Sequence, residues 1–126
     1  MTAEEWAQIQ HFTPGEMVCR HCQREEMSLA FMGRLDAARM LFGRPIRVTS
    51  GFRCADHNTS VGGSPTSSHL TGCAVDLWDK QDPVYRAELV EALWDAGFRQ
   101  IEVSRDGHVH VMDDSRKPRP FLGIEP

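Results

Sequence analysis

The chain has 126 residues, 40% of them hydrophobic and 25% charged, with a formal net charge of −4. That is enough for one compact domain with its own core, read here as a single domain over 1–126, and too short for two to be expected. No basic stripe and no apolar run near the roughly 20 residues of a membrane span occurs, so the expectation is no nucleic-acid partner and no membrane insertion.

The N-terminus, Met1-Thr2-Ala3-Glu4-Glu5-Trp6, is acidic and unlike a signal peptide. The expected product is made in the cytoplasm and needs another route to act outside it. Residues 1–26 show little periodicity and read as a segment wrapping over the domain, anchored by Trp6, Phe12 and Met17. Within it Ala3 to Gln10 can form a short helix, and Thr13-Pro14-Gly15 reads as a turn. His11 and His21 read as surface or packing histidines.

Ser28 opens a clear helix in which Leu29, Met32, Leu35, Ala38 and Phe42 form one apolar face. Gly43 and Pro45 end it. Ile46 to Thr49 alternates and is β-branched, the pattern of a strand. About 20 residues of loop follow, running through Ser50-Gly51-Phe52-Arg53, His57-Asn58 and Val61-Gly62-Gly63. Loops of that length in small domains tend to carry function. The glycine pair has neither the lysine nor the spacing of a phosphate loop.

Ala74 to Trp78 reads as a second strand. Asp82-Pro83 starts a second helix with Asp as N-cap and Pro at the first position, and Ala87, Val90, Leu93 and Trp94 are expected to face the core. Phe98 to Ser104 reads as a third strand. Asp106-Gly107 is a two-residue hairpin signal, so His108 to Met112 is expected to pair antiparallel with it. Phe121-Leu122 is expected to pack back, and Arg116-Lys117-Pro118-Arg119 to be a solvated basic run. The fold class is α+β: a small, mainly antiparallel sheet with two main helices packed on it. Nothing in the pattern suggests an oligomer, so a monomer is expected.

The chemistry concentrates in Ser67-Ser68-His69-Leu70-Thr71-Gly72-Cys73-Ala74-Val75-Asp76 and in His108-Val109-His110. His nitrogen and carboxylate oxygen are both zinc ligands. An isolated histidine on a strand is usually a satisfied residue. Asp76 inside an apolar strand is different, because a buried carboxylate needs a cation or several donors. His108 and His110, two apart, share a face about 6.5–7 Å from one another, which suits one ligand and one neighbouring acid–base group. His69, Asp76 and His110 would make three protein ligands, and an open fourth position marks a catalytic zinc site.

Cys19 and Cys22 form a C-x-x-C, while Cys54 and Cys73 stand alone. A structural zinc site usually shows a second close pair, which is missing. The readings are free buried thiols, a disulfide among some of the four, or a Cys-only metal site, in that order. Cys73 reads as a small core residue beside the Asp76 strand.

The set Ser67-x-His69-x-x-Gly72-x-Ala74-x-Asp76, followed by His-x-His, resembles the zinc D-Ala-D-Ala carboxypeptidases of peptidase family M15, whose fold is shared with the hedgehog signalling domain. Ser50-Gly51-Phe52-Arg53, His57-Asn58, Val61-Gly62-Gly63 and the opening His11 to Cys19 extend the resemblance over about residues 11–112, the opening being similar to phage and prophage members. The resemblance implies one Zn2+ held by His69, Asp76 and His110, and hydrolysis of a peptide bond in the peptidoglycan stem peptide, as in an endolysin or prophage cell-wall hydrolase. The bond cut is left open. It further implies that Arg53 recognises a substrate carboxylate or carbonyl, where the plainer reading is a surface salt bridge. Ser67 would support the metal loop or touch substrate, unless it is only a turn hydroxyl.

Two positions depart from the family pattern. Where many members carry an acid, three before the last histidine ligand, this chain has Gly107. With Asp106-Gly107 as the turn, Val103 would lie opposite His110 and Glu102 would face away from the histidines, leaving His108 as the acid–base group and Asp106 as its substitute. Met112 stands where many relatives carry Asp, a loss that Asp113 or Asp114 would offset, unless the ligands are simply less well supported here. A catalytically inactive zinc-containing binding module of the same fold is the alternative.

Overall fold

The structure, a computed structural model, describes residues 1–117 and 120–124. Among them the helices are α1 (Ala3–Trp6), α2 (Pro14–Met17), α3 (Leu29–Phe42), α4 (Ala55–Ser60) and α5 (Pro83–Asp95). A 3-10 turn spans Ser68–Thr71, and the strands are β1 (Val48–Ser50), β2 (Ala74–Trp78), β3 (Gln100–Val103), β4 (His108–Met112) and β5 (Phe121–Ile124). They form one sheet in the order β1-β2-β4-β3-β5, antiparallel except for the β3–β5 pair. The fold is thus α+β with a mainly antiparallel sheet, as the sequence predicts.

The two long helices begin and end where their caps dictate. Ser28 Oγ accepts from the Phe31 amide at 3.2 Å, and Gly43 closes α3 in the left-handed region at φ 72°. Asp82 accepts from the Val84 and Tyr85 amides, with Pro83 at the first helical position. α3 buries Phe31, Met32, Leu35, Ala38 and Phe42. α5 buries Tyr85, Leu89, Ala92 and Leu93, so Leu93 faces the core as expected while the face is otherwise rotated toward Tyr85 and Leu89. Ala87 is exposed and Val90 half-buried, while Trp94 lies outside under the Arg99 guanidinium, 4.0 Å from its ring centroid. Tyr85 sets this rotation: its ring meets Phe42 edge-on at 5.1 Å and its hydroxyl donates to the Pro45 carbonyl at 2.9 Å.

Period-two alternation splits the sheet into two chemistries. Val75, Leu77, Ile101, Val109 and Val111 are fully buried and join the helices in the core. Ala74, Asp76, Trp78, Glu102, His108, His110 and Met112 take the opposite face.

Several boundaries differ from the sequence reading. α1 stops at Trp6 rather than Gln10, and Thr13-Pro14-Gly15 opens the short α2 rather than a simple turn. Trp6, Phe12 and Met17 are buried as anchors. The expected long loop after β1 contains α4 and the 3-10 turn, capped by Cys54 and Ser67. α4 is solvent-facing with only Asn58 buried, so it leaves no apolar periodicity to read. β1 starts two residues later than expected, at Val48. Phe121 is half-buried, but Leu122 is 57% exposed, because this segment joins the sheet through its backbone as β5 rather than packing its side chains inward. Of the basic run, Pro118 and Arg119 lie outside the described residues.

Gly72 joins the wrapping segment to the site. It has φ 72°, its carbonyl accepts from the Ser28 amide at 3.1 Å, and a Cβ there would lie 2.0 Å from the Glu26 carbonyl oxygen. Gly72→Ala combines backbone strain with a backbone clash, and is expected to cost about 3 kcal/mol. Urea unfolding measures this; a cost below about 0.5 kcal/mol would show that the turn yields freely.

Candidate metal centre

Three segments deliver His69, Asp76 and His110 to one point. His69 sits on the 3-10 turn, whose cap is Ser67 Oγ accepting the His69 amide at 3.2 Å. Asp76 is the central residue of β2, and His110 lies directly opposite it on β4. Their ligating atoms all lie within 4.8 Å of one another.

The hydrogen bonds fix which atoms are presented. His69 Nδ1 is 2.8 Å from the Gly51 carbonyl, which can only accept, so Nδ1 carries a hydrogen and Nε2 is the nitrogen turned toward Asp76. Nε2 lies 3.4 Å from Asp76 Oδ2. That approach is favourable when a proton or a cation lies between the two atoms. Asp76 is itself anionic. Burial works to raise its carboxyl, but hydrogen bonds from His110 and His69 outweigh this and hold it well below the usual carboxylate range. Its other oxygen takes His110 Nδ1 at 2.8 Å. Two imidazoles and one carboxylate, with a backbone carbonyl orienting one ring, are a donor set that fits a zinc-class ion.

Arg53 is brought to this centre. Its Nη2 donates to Asp76 Oδ2 at 3.1 Å, Nε to Ser50 Oγ at 3.1 Å and Nη1 to Asn58 Oδ1 at 3.4 Å. The salt bridge is therefore buried against a candidate ligand, in place of the surface pair considered from sequence. Ser67 is a cap hydroxyl in the structure.

The β3–β4 hairpin corrects one expectation. Its loop has three residues, Arg105-Asp106-Gly107: the Ser104 amide donates to the His108 carbonyl at 2.8 Å, and Gly107 alone takes the left-handed conformation, φ 103°. The ladder therefore pairs Val103 with Val109 and Glu102 with His110. Glu102, set aside on the two-residue reading, shares the face of the histidines. A one-residue change of register exchanges the faces of a strand, and no other sequence signal would have selected the longer loop.

His108 shares this face, one pleat from His110 and opposite Trp78. Its Nδ1 lies 2.8 Å from Asp106 Oδ1. Asp106 is held below the ordinary carboxylate range first by the Ser104 hydroxyl, against desolvation, and then by His108. Asp106 thus stands as the ionised partner of His108.

Of the two acids considered as offsets for Met112, Asp114 touches the site. It is buried and accepts from Ser68 Oγ at 2.8 Å, beside His69. Asp113 instead pairs with Arg34 at 3.1 Å.

This is an α+β protein with a candidate single-ion centre of two histidines and an aspartate beside one face of the sheet. The family model described as Peptidase M15 matches residues 10–112, and the chain belongs to that family, whose members are generally metal-dependent peptidases. No curated protein matches the chain. Among the described residues, no helix is long and apolar enough to cross a membrane.

Asp114 supplies a stability test of the His69 turn. The Arg116 side chain, and after it Ser68, hold its carboxyl below the usual range despite burial. A depressed carboxyl stabilises above its unfolded pKa of about 3.9, and this is lost as pH falls toward the folded value. Asp114→Asn is expected to cost about 1–3 kcal/mol at neutral pH. The deficit should shrink once pH drops below about 4; unfolding midpoints of both proteins across pH 2.5–7 (about) would show it.

Proposed function

We propose that this protein is a zinc-dependent peptidase that hydrolyses a peptide bond in the stem peptide of peptidoglycan. The activity would be of D,D-carboxypeptidase or L-alanyl-D-glutamate endopeptidase type, within an endolysin or prophage cell-wall hydrolase. The observation that carries it is the convergence of the ligating atoms of His69, Asp76 and His110 within 4.8 Å of one another, with His69 Nδ1 committed to Gly51 and Nε2 3.4 Å from Asp76 Oδ2. Membership of the M15 family supports the peptidase chemistry.

His69, Asp76 and His110 would hold the ion, which when bound supplies a Lewis acid at the scissile carbonyl and activates water at neutral pH. The remaining roles belong to the chain. Asp106 Oδ1 pairs with His108 Nδ1 at 2.8 Å and orients the ring. His108 is then the group that moves a proton or donates to the developing oxyanion, about one pleat repeat from His110. Glu102, directly across from His110 on the side away from Asp76, is a second carboxylate within reach of the same face. Arg53 carries a planar fork suited to a substrate carboxylate or carbonyl, and Ser67 supports the turn that carries His69.

Gly107 has a structural explanation that does not require loss of activity. A Cβ at 107 would come 2.9 Å from the Trp78 ring, and its positive φ suits glycine. A cavity of about 340 Å3, lined in part by Arg20, Thr49, Ser50, Gly51 and His57, opens beside the segment that orients His69 and Arg53. None of the three candidate ligands lines it.

Purified cell wall incubated with the protein should yield new peptide termini by mass spectrometry, and a chelator should abolish them. No new termini after long incubation would favour the inactive binding module. His108→Ala is expected to retain the metal while lowering kcat by about 10²–10⁴-fold. Retained hydrolysis in His108→Ala, with loss in Glu102→Gln, would transfer the proton-transfer role to Glu102.

A further inference from the structure

A second cluster of ligand-type side chains lies where the wrapping segment meets the start of α4. Cys19, Cys22 and Cys54 place their sulfurs within 4.8 Å of one another. Cys19 Sγ lies 3.6 Å from Cys54 Sγ, and His21 Nδ1 lies 3.4 Å from Cys54 Sγ. Cys19 is fully buried, and Cys22 and Cys54 are half-buried. The fourth cysteine, Cys73, is elsewhere and donates to the Thr71 carbonyl.

The backbone is arranged around the sulfurs. The Cys54 amide points at Cys19 Sγ and the His57 amide at Cys54 Sγ, each at 3.4 Å. The chain reverses tightly across the C-x-x-C: the Gln23 amide donates to the Cys19 carbonyl at 2.8 Å, and the Cys19 amide to the Arg24 carbonyl at 2.7 Å. To close that reversal Gln23 takes φ 60°, an uncommon conformation for a residue with a side chain. Burial works to raise the Cys19 thiol, but the amides of Cys54, Cys22 and His21 and the Cys54 thiol outweigh it and bring it below the ordinary value.

We propose that Cys19, Cys22 and Cys54, with His21 as fourth ligand, form a second metal site, a closed structural centre for a zinc-class divalent ion. Three sulfurs and one imidazole nitrogen are a tetrahedral zinc donor set. A Cys19–Cys54 disulfide would account for two sulfurs and leave Cys22 beside it, whereas one ion accounts for the whole cluster. Binding releases the three thiol protons to solvent, and three thiolates with a divalent ion leave a net charge of −1. The site would fasten the wrapping segment to the Ser50–Cys54 stretch. It is independent of the peptidase reading.

Cobalt distinguishes this centre from the other, because only thiolate ligands give an intense sulfur-to-cobalt charge-transfer band in the near ultraviolet. Full-length protein, purified reduced and loaded with Co2+, should show that band saturating at one ion per chain. The His69→Ala/His110→Ala double variant and Cys73→Ser should keep the band, and Cys22→Ser should lose it. Should Cys22→Ser fail to fold, an organomercurial added to zinc-loaded wild type should release one ion per chain from the cysteine site. Absence of the band, no metal released by the mercurial, or a Cys19–Cys54 disulfide in place of bound metal would each overturn the proposal.

Discussion

The structure depends on one buried carboxylate. Asp76 is the middle residue of a strand whose neighbours Val75 and Leu77 are fully buried, and it is itself only 8% exposed. An ionised carboxylate at such a position costs several kcal/mol unless charge and hydrogen bonds replace the water it has lost. Three parts of the chain supply that replacement: Arg53 after β1, His69 on the 3-10 turn and His110 on β4. None of these could be removed without leaving Asp76 undercompensated. The requirement therefore fixes the path of the chain from Ser50 to Thr71 as well as the chemistry of the sheet face.

Local signals explain what could be read beforehand. The caps Ser28 and Asp82, the stop at Gly43 and the β-branched runs each act within a few residues, so the long helices and the inner strands were legible. His69, Asp76 and His110 were legible because a charged residue in an apolar strand stands out, and because the motif is compact. Tertiary packing decided the rest. The face of α5 follows Tyr85 meeting Phe42 and Pro45, contacts about 40 residues apart that no periodicity contains. The hairpin departs from the two-residue reading because Asp-Gly satisfies that rule by sequence, while Asp106 is held by Ser104 and His108 and, within the loop, only Gly107 takes positive φ. That single residue of register brought Glu102 onto the histidine face.

The cysteines were illegible for a different reason. A C-x-x-C without a second close pair argues against a structural metal site, yet the third thiol comes from 32 positions beyond Cys22 in the sequence, at Cys54. Loop closure over that distance adds little entropy once the domain is folded. Sequence spacing is therefore a poor guide here, and the sulfurs meet because Met17 accepts from the Phe52 amide at 2.9 Å and holds the two segments together.

The two clusters share a short stretch of backbone. The Gly51 carbonyl orients His69, Arg53 binds Asp76, and Cys54 caps α4 while joining the cysteine cluster. Gly51 also runs against Met17 so closely that a Cβ there would lie 2.7 Å from the Met17 Cα. These residues are consecutive or nearly so, and only a few residues of backbone separate the two clusters. The wrapping segment is then more than a cover for the core. It holds the Phe52 amide through the Met17 carbonyl, next to the Gly51 carbonyl that takes His69 Nδ1.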